Sequence, residues 1–152
     1  MTGRSELEAL AGAWISLWCA PVDWELFDRL HAEDFEDCSA AGRETTKAAF
    51  AAGLADLMRA FPDLQTRVDD LVVDVDSSRV AVRWSALGTN RRRFLGIGPT
   101  DLPTPFAGIE IIEVRGGRIV RRWGEWDISA HRESAPREAT RREGRPEADG
   151  PR

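Results

Sequence analysis

The chain has no tyrosine, one lysine, two histidines and two cysteines in 152 residues. Each shortage narrows the chemistry. Without tyrosine, no phenol hydroxyl can serve as a catalytic acid. Cys19 and Cys38 lack the paired spacing of a metal site and read as free thiols in a reducing compartment. His31 and His131 lie far apart in sequence with no second ligand cluster near either, so neither a zinc site nor a Ser-His-Asp triad is suggested. Apolar runs long enough to span a bilayer are missing. The opening MTGRSELEAL passes straight into a charged amphipathic pattern instead of a leader, so a cytoplasmic protein is expected. A basic balance is missing too. The net charge of -5 and pI near 5.1 argue against a nucleic-acid partner and against docking to an anionic membrane.

What remains is a globular composition, 42% hydrophobic and 31% charged, with length for one core. Leu7, Leu10, Ala11, Trp14, Ile15, Leu17 and Trp18 recur at helical spacing, with Ser5 as the expected N-cap and Glu8 as its capping-box partner. Pro21 separates this helix from a second, capped by Asp23, with Trp24, Phe27, Leu30 and His31 on one face. Phe35 to Ser39 reads as a brief extended segment. A third helix is expected from Glu44 to Ala60, stopped by Pro62.

Beyond Pro62 the period falls to two. Strands are expected over Leu64–Val75, Arg79–Thr89, Phe106–Val114 and Arg118–Ile128. Asp76-Ser77-Ser78 marks one turn and Gly116-Gly117 a hairpin. Val68, Leu71, Val73 and Val75 are expected to face inward on the first strand, and Val80, Val82 and Trp84 on the second. Gly108 and Gly124 are expected to curve the sheet. Residues 1–131 thus read as one α+β domain, three N-terminal helices packed on a curved, mostly antiparallel sheet, a cone whose mouth can admit a ligand. Residues 132–152 are polar and read as a disordered charged tail.

Carboxylates in apolar surroundings carry the chemical interest. Glu110 sits in GIEII and shares a strand face with Phe106, Gly108 and Ile112, so it points at a cavity or a dimer interface. Pairing with Arg83 or Arg122 would make it structural instead. In RRWGEWD, alternation groups Trp123, Glu125 and Asp127 on one face and Arg122, Gly124 and Trp126 on the other; which group faces inward stays open. Phe94, Leu95 and Ile97, in the loop Phe94–Pro105, need something to bury against and could cover the mouth. Arg91, Arg92 and Arg93 form either a solvated tip or a lid that attracts an acidic substrate.

The runs AFPDLQTRVDDLV, VAVRWSALGT, FLGIGPTDLP and GIEIIEVRGGRIVRRWGEWD resemble the SnoaL-like polyketide cyclase family in order and spacing, over most of Trp14 to Asp127. The resemblance implies the cone-shaped nuclear transport factor 2-like fold. It also implies an intramolecular aldol ring closure on a hydrophobic, polyketide-derived molecule, with no metal or cofactor. The acid/base role falls on the last strand, at Asp127 beside Glu125. Comparison with ketosteroid isomerase, of the same fold group, adds Asp37 as a base and Glu110 as an oxyanion acid. FEDC puts Cys38 where many relatives carry histidine. Against the Asp-Arg-Asp set of epoxide hydrolases, Arg83 matches the arginine but Ser85 and Gly124 stand at the acids. The expected pocket is Trp14, Trp18, His31, Trp84, Phe94, Phe106, Arg122 and Trp126. A homodimer through the outer sheet face is expected. The alternative is a non-catalytic pocket for a small hydrophobic ligand, or a dimerisation module.

Overall fold

Helix ends set the first layer. The computed structural model describes residues 2–133 and 135. Helix α1, Arg4–Ile15, starts one turn earlier than its apolar stripe suggests. Its N-cap is Gly3, whose N–H donates to the Glu6 carboxylate at 2.8 Å, so the Ser5/Glu8 box expected from sequence is replaced by Gly3 and Glu6. One turn of 3-10 helix follows at Ser16–Trp18. Helix α2, Trp24–Leu30, is capped as expected, with Asp23 Oδ1 accepting from Leu26 N–H at 2.9 Å. Helix α3, Lys47–Ala60, begins three residues later than expected, because Thr46 supplies the cap oxygen to Ala49 N–H.

Five strands follow or interleave: β1 His31–Asp37, β2 Gln65–Asp74, β3 Arg79–Thr89, β4 Pro103–Arg115 and β5 Arg118–Asp127. A short helix α4, Ser129–Glu133, closes the described chain, so Arg132 and Glu133 belong to the domain. Of the rest of the expected tail only Ala135 is described, its N–H donating to the Arg132 carbonyl at 3.2 Å; the remainder lies outside the described residues. The sheet order is β1-β5-β4-β3-β2, with β1 parallel to β5 and all other pairs antiparallel. Sequence periodicity found four strands; β1 was visible only as a fragment, because four acidic residues, Glu33, Asp34, Glu36 and Asp37, leave only Ala32 and Phe35 as its apolar positions. Gly116 and Gly117 both adopt positive φ, +58° and +74°, which the tight β4–β5 hairpin requires.

Curvature comes from bulges at Asp69 and Val120, not at the two glycines. Gly108 and Gly124 serve close approach instead. A Cβ at Gly108 would stand 2.6 Å from Trp84 and 2.7 Å from the Glu125 carbonyl. The Val120 bulge decides how β5 faces. Ile119 and Val120 are both buried, and beyond them Arg122, Gly124 and Trp126 turn inward while Arg121, Glu125 and Asp127 turn outward.

The helices pack Leu7, Ala11, Trp14, Leu54, Leu57 and Phe61 against Val80, Val82, Ile112 and Ile119 of the sheet. Within this core sits a polar pair. Trp14 Nε1 donates to His31 Nε2 at 3.0 Å, and His31 Nδ1 donates to the Phe27 carbonyl at 2.8 Å. Both ring nitrogens are occupied and the imidazole is neutral; burial pushes its pKa down to about 4. Among the described residues no helix is long and apolar enough to cross a membrane.

Candidate functional site

A cavity of about 720 Å³ opens between α3, the inner face of β5 and the loop after β3. Trp18, Phe50, Leu54, Leu57, Phe94 and Trp126 give it an apolar lining. Its polar wall is made by β5, and the reason is the strand register. Arg122 pairs laterally with Asp37 of β1, and Gly124 pairs with Glu110 of β4. Glu110 therefore lies opposite a residue without a side chain, with Arg122 and Trp126 as its two diagonal neighbours on the same face. The three side chains converge over the glycine.

The contacts follow from that placement. Trp126 Nε1 donates to Glu110 Oε1 at 2.6 Å, and Arg122 Nη2 donates to the same oxygen at 3.2 Å. Arg122 Nη1 donates to Asp37 Oδ1 at 2.8 Å. Arg122 Nε stands 3.1 Å from Glu110 Oε2, an ion-pair distance, but its N–H is not aligned on the oxygen. Glu110 Oε2 is thus buried without a hydrogen bond from any described residue. A Cβ at Gly124 would stand 2.2 Å from it, so the carboxylate fills the space that any other residue there would need.

Asp37 is saturated. It accepts from Arg122, from Ser39 N–H at 3.1 Å and from Arg43 Nη2 at 2.8 Å. Arg43 is held again by its Nε donating to the Ala40 carbonyl at 3.0 Å, and its guanidinium lies over Gly53 of α3, where a Cβ would meet Nη1 at 2.0 Å. Ser39 Oγ accepts from Gly124 N–H at 3.0 Å and ties the segment after β1 to β5. Arg122 also lies over the Phe50 ring, 5.2 Å from its centroid.

Burial raises the Glu110 pKa to about 7, against the opposing pull of Arg122 and of the Trp126 hydrogen bond. Near neutral pH this carboxyl is populated in both protonation states. Glu110 is 1% exposed and sits directly behind Arg122, Gly124 and Trp126, which form the cavity wall.

Asp37 and Glu110, expected from sequence, share this one network through Arg122. Asp127 does not join it. Its side chain is on the outer face, exposed, and its carboxylate accepts from Ser129 N–H at 2.9 Å, capping α4 and lowering its pKa. The parity set by Val120 is the cause. Of the expected pocket, Trp18, Phe94, Arg122 and Trp126 line the cavity. Trp14 and His31 belong to the core pair. Trp84 stands edge-on behind Trp126, at 5.1 Å between ring centroids, and Phe106 packs on Phe61 and His131. Arg83 is on the opposite face of the sheet from Glu110, with its guanidinium 3.8 Å from Asp69. Cys38 is exposed, its Sγ 3.9 Å from the Glu36 carbonyl.

Sequence reasoning missed Arg43 and Ser39. One signal was available for Arg43: a glycine inside α3, which costs roughly 1 kcal/mol relative to alanine and so asks for a reason. The expected loop Phe94–Pro105, whose last three residues belong to β4, does bury part of itself. Phe94 meets Phe61 edge-on, its carbonyl lies 2.9 Å from His131 Nε2, and Arg91 N–H is anchored on the Ala60 carbonyl at 2.8 Å.

Solved structures share this architecture. TsrD from Streptomyces laurentii superposes with a TM-score of 0.78 at 18% identity, covering 88% of this chain and 97% of its own. AclR from Streptomyces galilaeus gives 0.74 at 22%, covering 85% and 83%. IdmH from Streptomyces antibioticus, named a proposed polyketide cyclase, gives 0.72 at 22%, covering 84% and 96%. At these identities the likeness is one of fold. No curated protein matches the sequence. The sequence model of one family matches residues 8–133, and on that match the chain belongs to the SnoaL-like polyketide cyclase family.

Proposed function

We propose that the protein is a cofactor-independent acid/base cyclase or isomerase that closes a ring in a hydrophobic, polyketide-derived molecule by an aldol-type reaction, with Glu110 as the acid/base. The observation that carries this is a buried carboxyl with a pKa near 7 and an unbonded oxygen, directly behind the Arg122, Gly124 and Trp126 wall of an aromatic cavity, where Gly124 brings no side chain. Such a group suits both halves of an aldol closure. As carboxylate, Glu110 takes the proton from the carbon alpha to a ketone. The resulting enolate carbon attacks a second carbonyl carbon in the same molecule. As carboxylic acid, Glu110 then returns the proton to the new alkoxide. No atom is gained or lost. Arg122 tempers the carboxylate, and Trp126 holds the other oxygen, so Oε2 is the proton-carrying one. Asp37 is a positioning residue here, acting through Arg122.

Deuterium uptake alpha to the carbonyl of an aromatic poly-β-ketone, followed by mass spectrometry, tests the first half-reaction. Glu110→Gln is expected to lower exchange at least about 100-fold, the scale of one general base. Gly124→Ala, which puts a methyl where Oε2 lies, is expected to lower it comparably. Unchanged exchange in both variants would sink the acid/base assignment.

The second reading is a non-catalytic ligand pocket. The complete pairing of Asp37 by two arginines favours it. It predicts that Glu110→Gln binds ligand as the unaltered chain does and that neither turns it over.

The outer sheet face supports a homodimer. Ile109 and Ile111 of β4 are exposed there, beside Trp123 of β5. Light scattering should give a dimer mass, and Ile111→Glu should give a monomer; a monomeric unaltered chain would refute the pairing.

A further inference from the structure

The residues around the cavity include five arginines, 43, 59, 92, 93 and 122, and two acids, Asp56 and Glu125, the latter with its side chain on the outer face of β5. This excess of positive charge belongs to a chain whose net charge is -5. The arginines are not equivalent. Arg122 and Arg43 are committed to Asp37, as described above. Arg59 has an ion-pair partner in Asp56. Arg93 Nη1 donates to the Gly96 carbonyl at 2.7 Å, which fastens the loop to itself. Arg92 has no hydrogen-bond or ion-pair partner among the described residues.

Local structure explains why these cations stand at the cavity and not elsewhere. The Arg91 N–H bond to the Ala60 carbonyl pins the start of the loop to the last turn of α3. That bond brings Arg92 and Arg93 to the same rim as Arg59. Reciprocal bonds between Phe94 and Ile97, at 2.9 and 3.0 Å, then fold the chain back on itself. This turn holds Leu95 at a φ of +48°, a left-handed conformation that costs a branched residue of order 1 kcal/mol. Leu95 is 58% exposed yet lines the cavity. The rim therefore offers both unneutralised guanidinium charge and an uncovered apolar side chain.

We infer that the ligand of this cavity is an amphipathic acid: a flat apolar body seated against the aromatic lining, with a carboxylate that emerges at the rim and is held by Arg92 and Arg93. This rests on the cavity being the small-molecule site, and not on the role given to Glu110. A neutral ligand would leave Arg92 without a counter-charge at a wall already in positive excess. A carboxylate there gains from the summed field of the rim and keeps partial solvation, so its desolvation cost stays small. A planar guanidinium also suits a carboxylate by paired N–H donation.

The test uses a matched pair of fluorescent probes, anthracene-2-carboxylate and its methyl ester, read by fluorescence anisotropy with the full chain. The acid is expected to bind about tenfold more tightly than the ester at low salt, the scale of a few partly screened charge contacts. That preference is expected to shrink to about two- or threefold in 0.5 M salt, where screening is strong. In the Arg92→Gln/Arg93→Gln double variant the acid-to-ester ratio should collapse to about one, and Arg92→Lys/Arg93→Lys should restore part of it, since charge carries part of the effect and paired guanidinium donation the rest. Equal binding of acid and ester by the unaltered chain overturns the inference and leaves the pocket reading standing. So does a preference that survives the double glutamine change or is insensitive to salt. Failure of both probes to bind overturns the pocket reading and the inference together.

Discussion

Two polar clusters are buried in this molecule to the same depth, and they are built on opposite plans. His31, at the junction of α2 and β1, is fully enclosed and fully bonded: one nitrogen donates to Phe27, the other accepts from Trp14. Glu110, on the sheet, is as deeply enclosed but half bonded, with two donors on one oxygen and none aligned on the other. Burial alone does not mark a site. A buried polar group whose bonds are complete specifies packing; one whose bonds are incomplete, beside a cavity, is available for chemistry.

Variants can break this contrast. The largest effect is expected at Arg122, which serves both acids. Arg122→Ala should lower unfolding free energy by about 3 kcal/mol or more, the cost of breaking a buried ion pair from one side. Denaturant titration measures it, and adding Glu110→Gln to that variant should recover part of the loss; strict additivity would show that the two residues are uncoupled.

Next comes pH, where the clusters should act in opposite directions. The Glu110 pKa is raised by folding, so its favourable contribution is complete below the unfolded value of 4.5 and is lost as pH rises through about 7. The His31 pKa is depressed, so its contribution is complete above 6.5 and is lost as pH falls through about 4. Each shift corresponds to at most about 3 kcal/mol. Stability measured from pH 4 to 8 should lose its alkaline fall in Glu110→Gln and keep its acid fall. An unchanged alkaline limb would place the Glu110 pKa elsewhere.

A smaller effect is expected at Trp14→Phe, which leaves His31 Nε2 without its donor. Loss of about 1–3 kcal/mol, with ligand affinity per folded molecule preserved, would confirm the cluster as structural. Smallest of all is Asp127→Asn. The asparagine oxygen can still cap α4, so melting temperature and deuterium exchange should match the unaltered chain. A large loss of exchange would return Asp127 to candidacy.

How much of this was legible beforehand differs by element. β3 and the β4–β5 hairpin were readable because alternation and a Gly-Gly turn are local signals. Glu110 was readable as an acid in an apolar run. The exclusion of Asp127 was not, because a single bulged residue near Val120 reverses the facing of everything after it, and no local pattern distinguishes Ile119-Val120 as a bulge from two ordinary strand positions. Arg43 was legible only through the glycine in α3, for a related reason. Its role depends on a salt bridge to Asp37 and on a gap in α3, and both exist only once three segments meet.

That bulge has a wider consequence. The last strand carries two complete inventories, one of Arg122, Gly124 and Trp126 and the other of Trp123, Glu125 and Asp127, printed on opposite sides of one ribbon. Deleting Val120 would leave Arg121 opposite Glu113 and keep the same face inward; keeping it as an ordinary strand position, without the bulge, would exchange the two inventories, presenting two carboxylates to the interior and sending the arginine and tryptophan outside. Gaining or losing one bulge at the root of this strand, with every residue kept, is a shorter route to a different reactive surface than any series of substitutions along it.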